Sequence, residues 1–450
     1  MADFRAEATA EVDSYGLVGV GFGPSNLALA IAFDELSPLF SEGRPLRHCF
    51  FERQPTFAWH SGMLLEGAQM RISFIKDLVT LRNPVSRFSF ISYLQAKGRL
   101  LDFINKRSFF PSRIEFHDYL EWAASSFSSH VEYDCSVRAI EPVWNDGVVT
   151  SFDLEVSRHD ENPTTVRAEN VVLAVGLEPR LPRGMQVSEH VWHNSELLLR
   201  AAAITSSPRR FVVIGAGQSA AETAQFLHRR FTEAEICIVL SRYGFSQTDD
   251  SAFASRLYDP EGVEVFRRAP EMVKEALLDY HRNSNDSVVD GELIDQLYRL
   301  AYEEGVQERQ RLRLLNISTV SDVREGVDVA HVTVKSRATE EQTVLDADGV
   351  VYATGYAPPD PRMLLSGLDD YLLCDTSGRL RVRDDYRIET APEVRAGIFL
   401  QGGLEHLDGL SSNLLSNVAL RAERIRTSLM QDWDSVLEER AGHSSVSEHV

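Results

Sequence analysis

A chain of 450 residues is long enough to bury two to four packed units without disulfide staples. Its 67 acidic against 46 basic side chains give a formal charge of -21, which repels phosphate backbones and anionic membranes and argues against nucleic acid as a partner. Cys49, Cys135, Cys237 and Cys374 form no CxxC pair and no metal-spaced cluster, so no metal is expected and a reducing cytoplasm fits.

The acidic start MADFRAEATAEVDSYG lacks an export-signal pattern, and no run of 18 apolar residues points to a membrane span. Residues 1–13 read as a flexible tail. From Tyr15, YGLVGVGFGPSN places an apolar strand before a glycine-rich turn, and LALAIAFDEL continues it as a small-residue helix. Gly19 is read as the tight turn after the strand, Gly21 as the point of approach to a pyrophosphate, and Gly23 as an open helix entry. Pro24 takes the place usually held by a third glycine, and Ser25 and Asn26 complete the turn. HCFFE reads as the next strand, with Glu52 where an acid accepts the ribose hydroxyls of an adenosine.

Further along, RIEFHDYLEWAASSF predicts a helix, SVRAIEPVW and SFDLEVS predict short strands, and ENVVLAVG predicts a return to the first unit. RFVVIGAGQSAAE then repeats the opening grammar with Gly215, Gly217 and Ala220. After the strand EICIVL come Ser241 and Arg242 in place of an acid, and an arginine there suits the extra phosphate of NADPH. A polar, helix-rich stretch around EMVKEALLDYH leads to DADGVVYATGY and the late strand GIFLQGG. With VVLAVGLEPR, the ATGY segment forms a pair of the kind that closes flavin or nicotinamide units. Residues 433–450 are poor in apolar side chains and read as a second flexible tail.

The string FAWHSGMLLEGAQMRISFIKDLVTLRNPVSRFSFISYL, Phe57 to Leu94, resembles the flavin-dependent N-hydroxylating monooxygenases, particularly the ornithine hydroxylases of siderophore biosynthesis. RIEFHDYLEW, GQSAAE, DDSAF, NSNDSVVD, ATGY and GLSSNLLS follow in that family's order, so the resemblance spans nearly all of residues 15–430. It implies an α/β fold with two Rossmann-like dinucleotide-binding domains, for FAD and NADPH, and a smaller, mainly helical substrate domain. The expected division is 14–205 for the first part of the FAD domain and 206–340 for the NADPH domain with inserted substrate helices. Residues 341–432 would return to the FAD domain and the substrate segment.

The same resemblance implies flavin contacts at Gly21, Gly23, Glu52, Trp59, His60, Arg71, Val137, Asn413, Leu414 and Leu415. It implies nicotinamide contacts at Gly217, Gln218, Ser219, Arg242 and Asn285, with Asn285 also the polar group at the reacting centre. Lys76 matches the lysine that holds the substrate carboxylate, Ser416 a serine near the amine, and Ser255 the position of an asparagine on the amino-acid backbone. The reaction implied is N-hydroxylation of L-ornithine by molecular oxygen in a homo-oligomer, often a tetramer, with L-lysine as the competing substrate. Four departures gather at the expected reactive centre: Arg71 for glutamine, Ser255 for asparagine, Asp286 for tyrosine and Asp408 for histidine. They keep a non-catalytic flavoprotein open as an alternative. A flavin disulfide reductase shares the paired turns but needs a redox cysteine pair, which this sequence lacks.

Overall fold

Two sheets organise the chain in the computed structural model, which describes residues 12–35, 46–158, 161–249, 251–285 and 288–446. The first sheet runs Val131–Glu132, His48–Phe51, Asp13–Val20, Thr164–Leu173, Val148–Arg158, Cys135–Asn145. Val166 to Leu173 of the strand Thr164–Leu173 pair with Asp13–Val20 in parallel. Its other edge is shared: the first half binds Val148–Arg158 antiparallel, and Asn170 to Leu173 bind the late strand Gly397–Leu400 in parallel. The helix Pro24–Asp34 is apolar all round and almost wholly buried, as a helix covered on every side must be.

The second sheet is parallel throughout, in the order Leu312–Leu315, Glu235–Val239, Arg210–Ile214, Gly349–Tyr352, Val191–His193. Its inner strands Glu235–Val239, Arg210–Ile214 and Gly349–Tyr352 are nearly continuous apolar runs because both faces are covered. A three-stranded antiparallel sheet, Ser318–Glu325, Ala330–Ser336 and Gln342–Ala347, packs beside it. Helices Ala252–Ser255, Pro260–Arg268, Glu271–Asn285 and Gly291–Val306 make up the polar stretch between its strands.

Sheet membership corrects the expected boundaries. Val191–His193 lies before the expected break at 205, and Gly349–Tyr352 lies after that at 340, yet both belong to the second sheet. The chain crosses earlier and returns later because parallel strands added at one edge need long crossovers rather than hairpins. The helix begun at Val418 runs to Val446, through most of the span expected as a second tail. Residues 1–11 and 447–450 lie outside the described residues. Among the described residues no helix is long and apolar enough to cross a membrane, and no group of three or more His, Cys, Asp or Glu could hold a metal ion.

The two sheets are fastened together by side chains from opposite halves. Met63, Leu65 and Ala68 leave the first unit and bury against Leu197, Phe211, Ala220 and Ala224 of the second. Arg113, at the start of the helix Arg113–Ala124, donates to both carboxylate oxygens of Glu222 at 2.9 Å and to the Met63 carbonyl at 2.8 Å. Glu222 is on the helix Gln218–Arg230, and its side chain is 5 % exposed. A buried two-point pair of this kind resists separation, because removing one partner strands the other charge in a dry site. We therefore expect Arg113→Ala to lower unfolding free energy by about 3 kcal/mol, the low end of the range for broken buried pairs, since Gln218 still donates to Glu222. A urea titration showing no shift of the midpoint would contradict this role.

Candidate active site

Both glycine turns share one residue frame and one close backbone carbonyl. The strand Asp13–Val20 ends at Gly21, whose φ of +84° suits glycine, and a Cβ there would lie 2.5 Å from the Ala174 carbonyl oxygen. The strand Arg210–Ile214 ends at Gly215, with φ of +149°, and a Cβ there would lie 2.4 Å from the Ala353 carbonyl oxygen. Gly23 and Gly217 are then the extended N-cap residues of the helices starting at Pro24 and Gln218. The frames superpose as Gly21 on Gly215, Gly23 on Gly217 and Asn26 on Ala220, so Asn26 stands at the third position.

This corrects the role expected of Gly19. It lies inside the strand, paired with Phe50 and Val172, and is kept small by the Phe50 ring, 2.2 Å from the position of a Cβ. Pro24 is the first helical residue, where its missing N–H costs nothing. Nothing lies within 4 Å of a Cβ built on Gly23, so the backbone there is open to close approach.

Glu52 reaches back into the first turn. Its buried carboxylate accepts from the Phe22 N–H at 2.7 Å and from the Gln54 N–H at 2.9 Å. Lone pairs remain for further donors. Asn26 donates to the Gly21 carbonyl at 2.7 Å and accepts from Gln401 at 2.9 Å, which ties the turn to the end of the late strand. Beyond it, Gln401 Oε1, Ser411 Oγ and Ser416 Oγ are buried without a hydrogen-bond partner among the described residues. Buried polar atoms normally find one, so this row suits a polar ligand lying along residues 401–416. Asn413 accepts from the Gly403 N–H at 2.9 Å, and Leu414 and Leu415 carry the chain to Ser416. A flavin dinucleotide fits this combination of open turn, acid and unpartnered buried groups.

In the second unit a cleft of about 570 Å³ opens at the carboxyl ends of the parallel strands, lined by Ile214, Gly215, Ala216, Val239, Ser241 and Tyr352. That is where doubly wound sheets receive nucleotides. Arg242 follows Ser241 and is half-buried, with its carbonyl accepting from the Ile317 N–H at 2.8 Å. Ser219 lies in the first turn of the following helix. Gln218 donates to Glu222 at 3.0 Å and accepts from the Asp290 N–H at 2.8 Å.

Between the units, the His60 ring sits edge-on to Trp59 and Tyr356, with centroids 4.6 and 6.0 Å away, and Tyr356 is edge-on to His193. His60 keeps one side open to solvent, yet crowding and then the charge of Arg113 push its pKa down to about 4. It is neutral at physiological pH and supplies no fixed positive charge. Buried His193 is also held below its usual value by desolvation, and its ring links Ser195 to the Gly355 carbonyl. Val137 is half-buried in the strand Cys135–Asn145, beside a register shift.

Arg71 is exposed and donates to Thr248 of the second unit. Lys76 is half-buried and pairs with Asp259 at 3.1 Å. Ser255 ends the short helix Ala252–Ser255, and Asn417 donates to the Tyr258 carbonyl at 2.9 Å, joining this segment to that of Ser416. Asn285 closes the helix Glu271–Asn285, while its side chain and the whole of Asp286 lie outside the described residues. Asp408 is held in a buried ion pair: Arg267 donates to it at 2.7 and 2.9 Å, and the Tyr386 hydroxyl at 3.0 Å. Arg113, Glu222, Gln401 and Asp259 were not singled out in the sequence. Arg113 and Glu222 do open RIEFHDYLEW and close GQSAAE, but their contact spans 109 residues.

Residues 13–358 match the family described as L-lysine 6-monooxygenase/L-ornithine 5-monooxygenase. The chain belongs to this family. It is 39% identical over 406 residues to the L-ornithine N(5)-monooxygenase of Burkholderia cepacia, covering 88% of this chain and 90% of that protein. It is 45% identical to the ornithine N-hydroxylase of Kutzneria sp. 744, in a structure with reduced FAD, NADP+ and L-ornithine. There the TM-score is 0.88, with 93% of this chain and 99% of that one covered. The L-lysine 6-monooxygenase of Pseudomonas syringae is 31% identical with a TM-score of 0.81, covering 93% of this chain and 99% of that one.

The shared turn geometry makes a stability test specific. Gly21→Ala and Gly215→Ala each force a Cβ onto a neighbouring strand's carbonyl and an L residue into a strained backbone region. We expect each to cost about 1 to 3 kcal/mol in thermal or urea unfolding. Gly67→Ala, also at positive φ but with nothing near its Cβ, should cost less. Equal losses at all three positions would remove the argument from the carbonyl contacts.

Proposed function

We propose that this chain is an FAD- and NADPH-dependent monooxygenase that hydroxylates the side-chain amine of L-ornithine with molecular oxygen. The observation that carries the reading is the pair of superposable dinucleotide turns, one beside a row of unpartnered buried polar groups and one at a nucleotide-sized cleft. The similarity to ornithine hydroxylases, at 45% and 39% identity against 31% for the lysine enzyme, supports ornithine over lysine. The hydroxylamine product suits a hydroxamate iron chelator of the siderophore type or a related natural product. Free thiols at Cys49, Cys135 and Cys237, all buried, suit a reducing cytoplasm. A homo-oligomer, with the tetramer as the arrangement to test, belongs to the same reading and is checked by sedimentation.

Bound FAD, once reduced by NADPH, supplies the electrons that activate oxygen. The chain's own part is to hold, orient and exclude water. Gly21 and Gly23 let the first turn approach a pyrophosphate, and Glu52 takes ribose hydroxyls on its remaining lone pairs. Val137, Trp59, His60 and Arg71 frame the flavin side, while Asn413, Leu414 and Leu415 pass along it. Gly217, Gln218, Ser219 and Arg242 serve NADPH. Asn285 contributes a polar contact at the reacting centre, and Lys76, Ser255 and Ser416 position the amino acid. The substrate amine must lose its proton before it reacts, so hydroxylation should rise with pH as that amine deprotonates in its pocket.

A panel of ornithine, lysine, diaminobutyrate, putrescine and cadaverine, assayed for hydroxylamine alongside NADPH consumption, tests the reading. Ornithine should lead. Purified protein that is yellow but forms no substrate-dependent hydroxylamine from any of the five would favour the non-catalytic alternative. Arg242→Ala should weaken NADPH use about tenfold or more, the loss expected of a charged hydrogen bond, while NADH use stays near wild type. An unchanged ratio of the two moves the phosphate site elsewhere. Lys76→Ala should raise KM for ornithine by about tenfold or more and leave diamines little affected. Better turnover of putrescine or cadaverine than of either amino acid by the wild type sinks both Lys76 and the substrate class.

A further inference from the structure

The ion pair between Lys76 and Asp259 sets a cation and an anion side by side at the surface of the substrate segment, with Nζ 3.1 Å from Oδ1. Both side chains are partly open, at 31% and 42% exposure. Asp259 occupies the N-cap of the helix Pro260–Arg268, where an aspartate ordinarily accepts from the first-turn amides, yet its side chain makes no capping bond. Its backbone is fixed instead, with its N–H donating to the Arg256 carbonyl and its carbonyl accepting from the Val263 N–H. The carboxylate is thus turned from the helix toward Lys76 by a residue whose main chain cannot follow.

The position of this pair adds to its meaning. Asn417 donates to the carbonyl of Tyr258, the residue before Asp259, and Asn417 follows Ser416, whose buried hydroxyl has no partner among the described residues. The charged pair and the unpartnered hydroxyl therefore belong to two segments fastened by one hydrogen bond. An α-amino acid carries its carboxylate and its ammonium on a single carbon. A juxtaposed lysine and aspartate offer each of these groups a counterion at once.

We propose that Asp259 and Lys76 together form the head-group site for a zwitterionic α-amino acid, with Lys76 taking the α-carboxylate and Asp259 the α-ammonium. This rests on the reading above that the substrate is an amino acid. On binding, each protein charge exchanges its neighbour for a substrate counterion, so the site stays neutral overall. The resting pair is easily opened, because partly exposed ion pairs contribute little. Asp259 is accordingly a specificity residue: it separates an α-amino acid from an ω-amino acid that lacks the α-amine.

The test is calorimetric titration of the FAD-loaded protein with L-ornithine and with 5-aminopentanoate, which keeps the carboxylate and terminal amine but lacks the α-ammonium. Asp259→Asn is the informative variant, since asparagine is as good an N-cap and the fold should be retained. The wild type should bind ornithine about tenfold or more tightly than 5-aminopentanoate, and Asp259→Asn should lose most of that preference by weakening ornithine. If the variant binds ornithine as well as or better than the wild type, Asp259 only occludes Lys76 and the proposal is overturned. A preference that survives intact in the variant overturns it too, as does failure of the wild type to bind ornithine. The hydroxylamine assay keeps the two readings apart: hydroxylamine formed from ornithine while the preference survives in Asp259→Asn sinks this inference alone.

Discussion

The contact on which the rest of the site depends is the buried pair of Arg113 and Glu222. Hydride transfer between two dinucleotides requires the units that hold them to keep a defined relation, and a sheet cannot set that relation for a second sheet. Arg113 does so by gripping both oxygens of Glu222, on the helix that leaves the second turn, while also donating to Met63 of the connecting loop. Two parallel hydrogen bonds fix orientation as well as distance, which a lysine in that place would not. The apolar side chains of Met63, Leu65 and Ala68 then supply the burial that makes the arrangement favourable. Specificity of placement comes from the ion pair, and most of the free energy comes from the apolar contact.

The two turns show how the same local solution is reached with different residues. In the second unit Ala220 fills the third position and packs within 3.2 Å of a Cβ built on Gly215. In the first, Asn26 occupies that position and uses its amide to hold the Gly21 carbonyl on one side and Gln401 on the other. A buried asparagine costs desolvation unless its polar atoms are met, and here both ends are. The consequence is that the first turn is coupled to the end of the late strand, whereas the helix leaving the second turn is coupled to Asp290 and Arg113.

Strands, helices and the two turns were readable because their signals are local: apolar runs, glycine at strand ends, and a small-residue helix directly after. The helix Arg113–Ala124, the strands Cys135–Asn145 and Val148–Arg158 and the return of Thr164–Leu173 to the first sheet all follow from such runs. What could not be read was set by contacts far apart in sequence. Gly19 looked like part of the turn, because a three-glycine spacing has two possible frames, and only the crowding by Phe50 shows that it is a strand residue. Val191–His193 and Gly349–Tyr352 were assigned to the wrong sheet, since a strand of three or four residues carries no mark of which sheet it joins. Asp259 was passed over for a related reason, because an aspartate before a proline reads as an ordinary helix start.

Those distant contacts also change the meaning of the departures from the family pattern. A lone acid in place of histidine at position 408 reads as damage to a reactive centre, but Asp408 is gripped by Arg267 and capped by the Tyr386 hydroxyl. Arg267 in turn lies 5.0 Å over the Tyr386 ring and also reaches Asp384, so the acid is one member of a closed set of compensating charges. Arg71, likewise, is engaged with Thr248 across the units, a contact that gives its charge a structural use. A substitution such as Asp408 that arrives with its own buried partners is a re-solved packing problem, and it argues for a maintained fold rather than for decay. Of the described departures this leaves Ser255, which ends the short helix Ala252–Ser255 four residues before Asp259 and has no such partner to explain it.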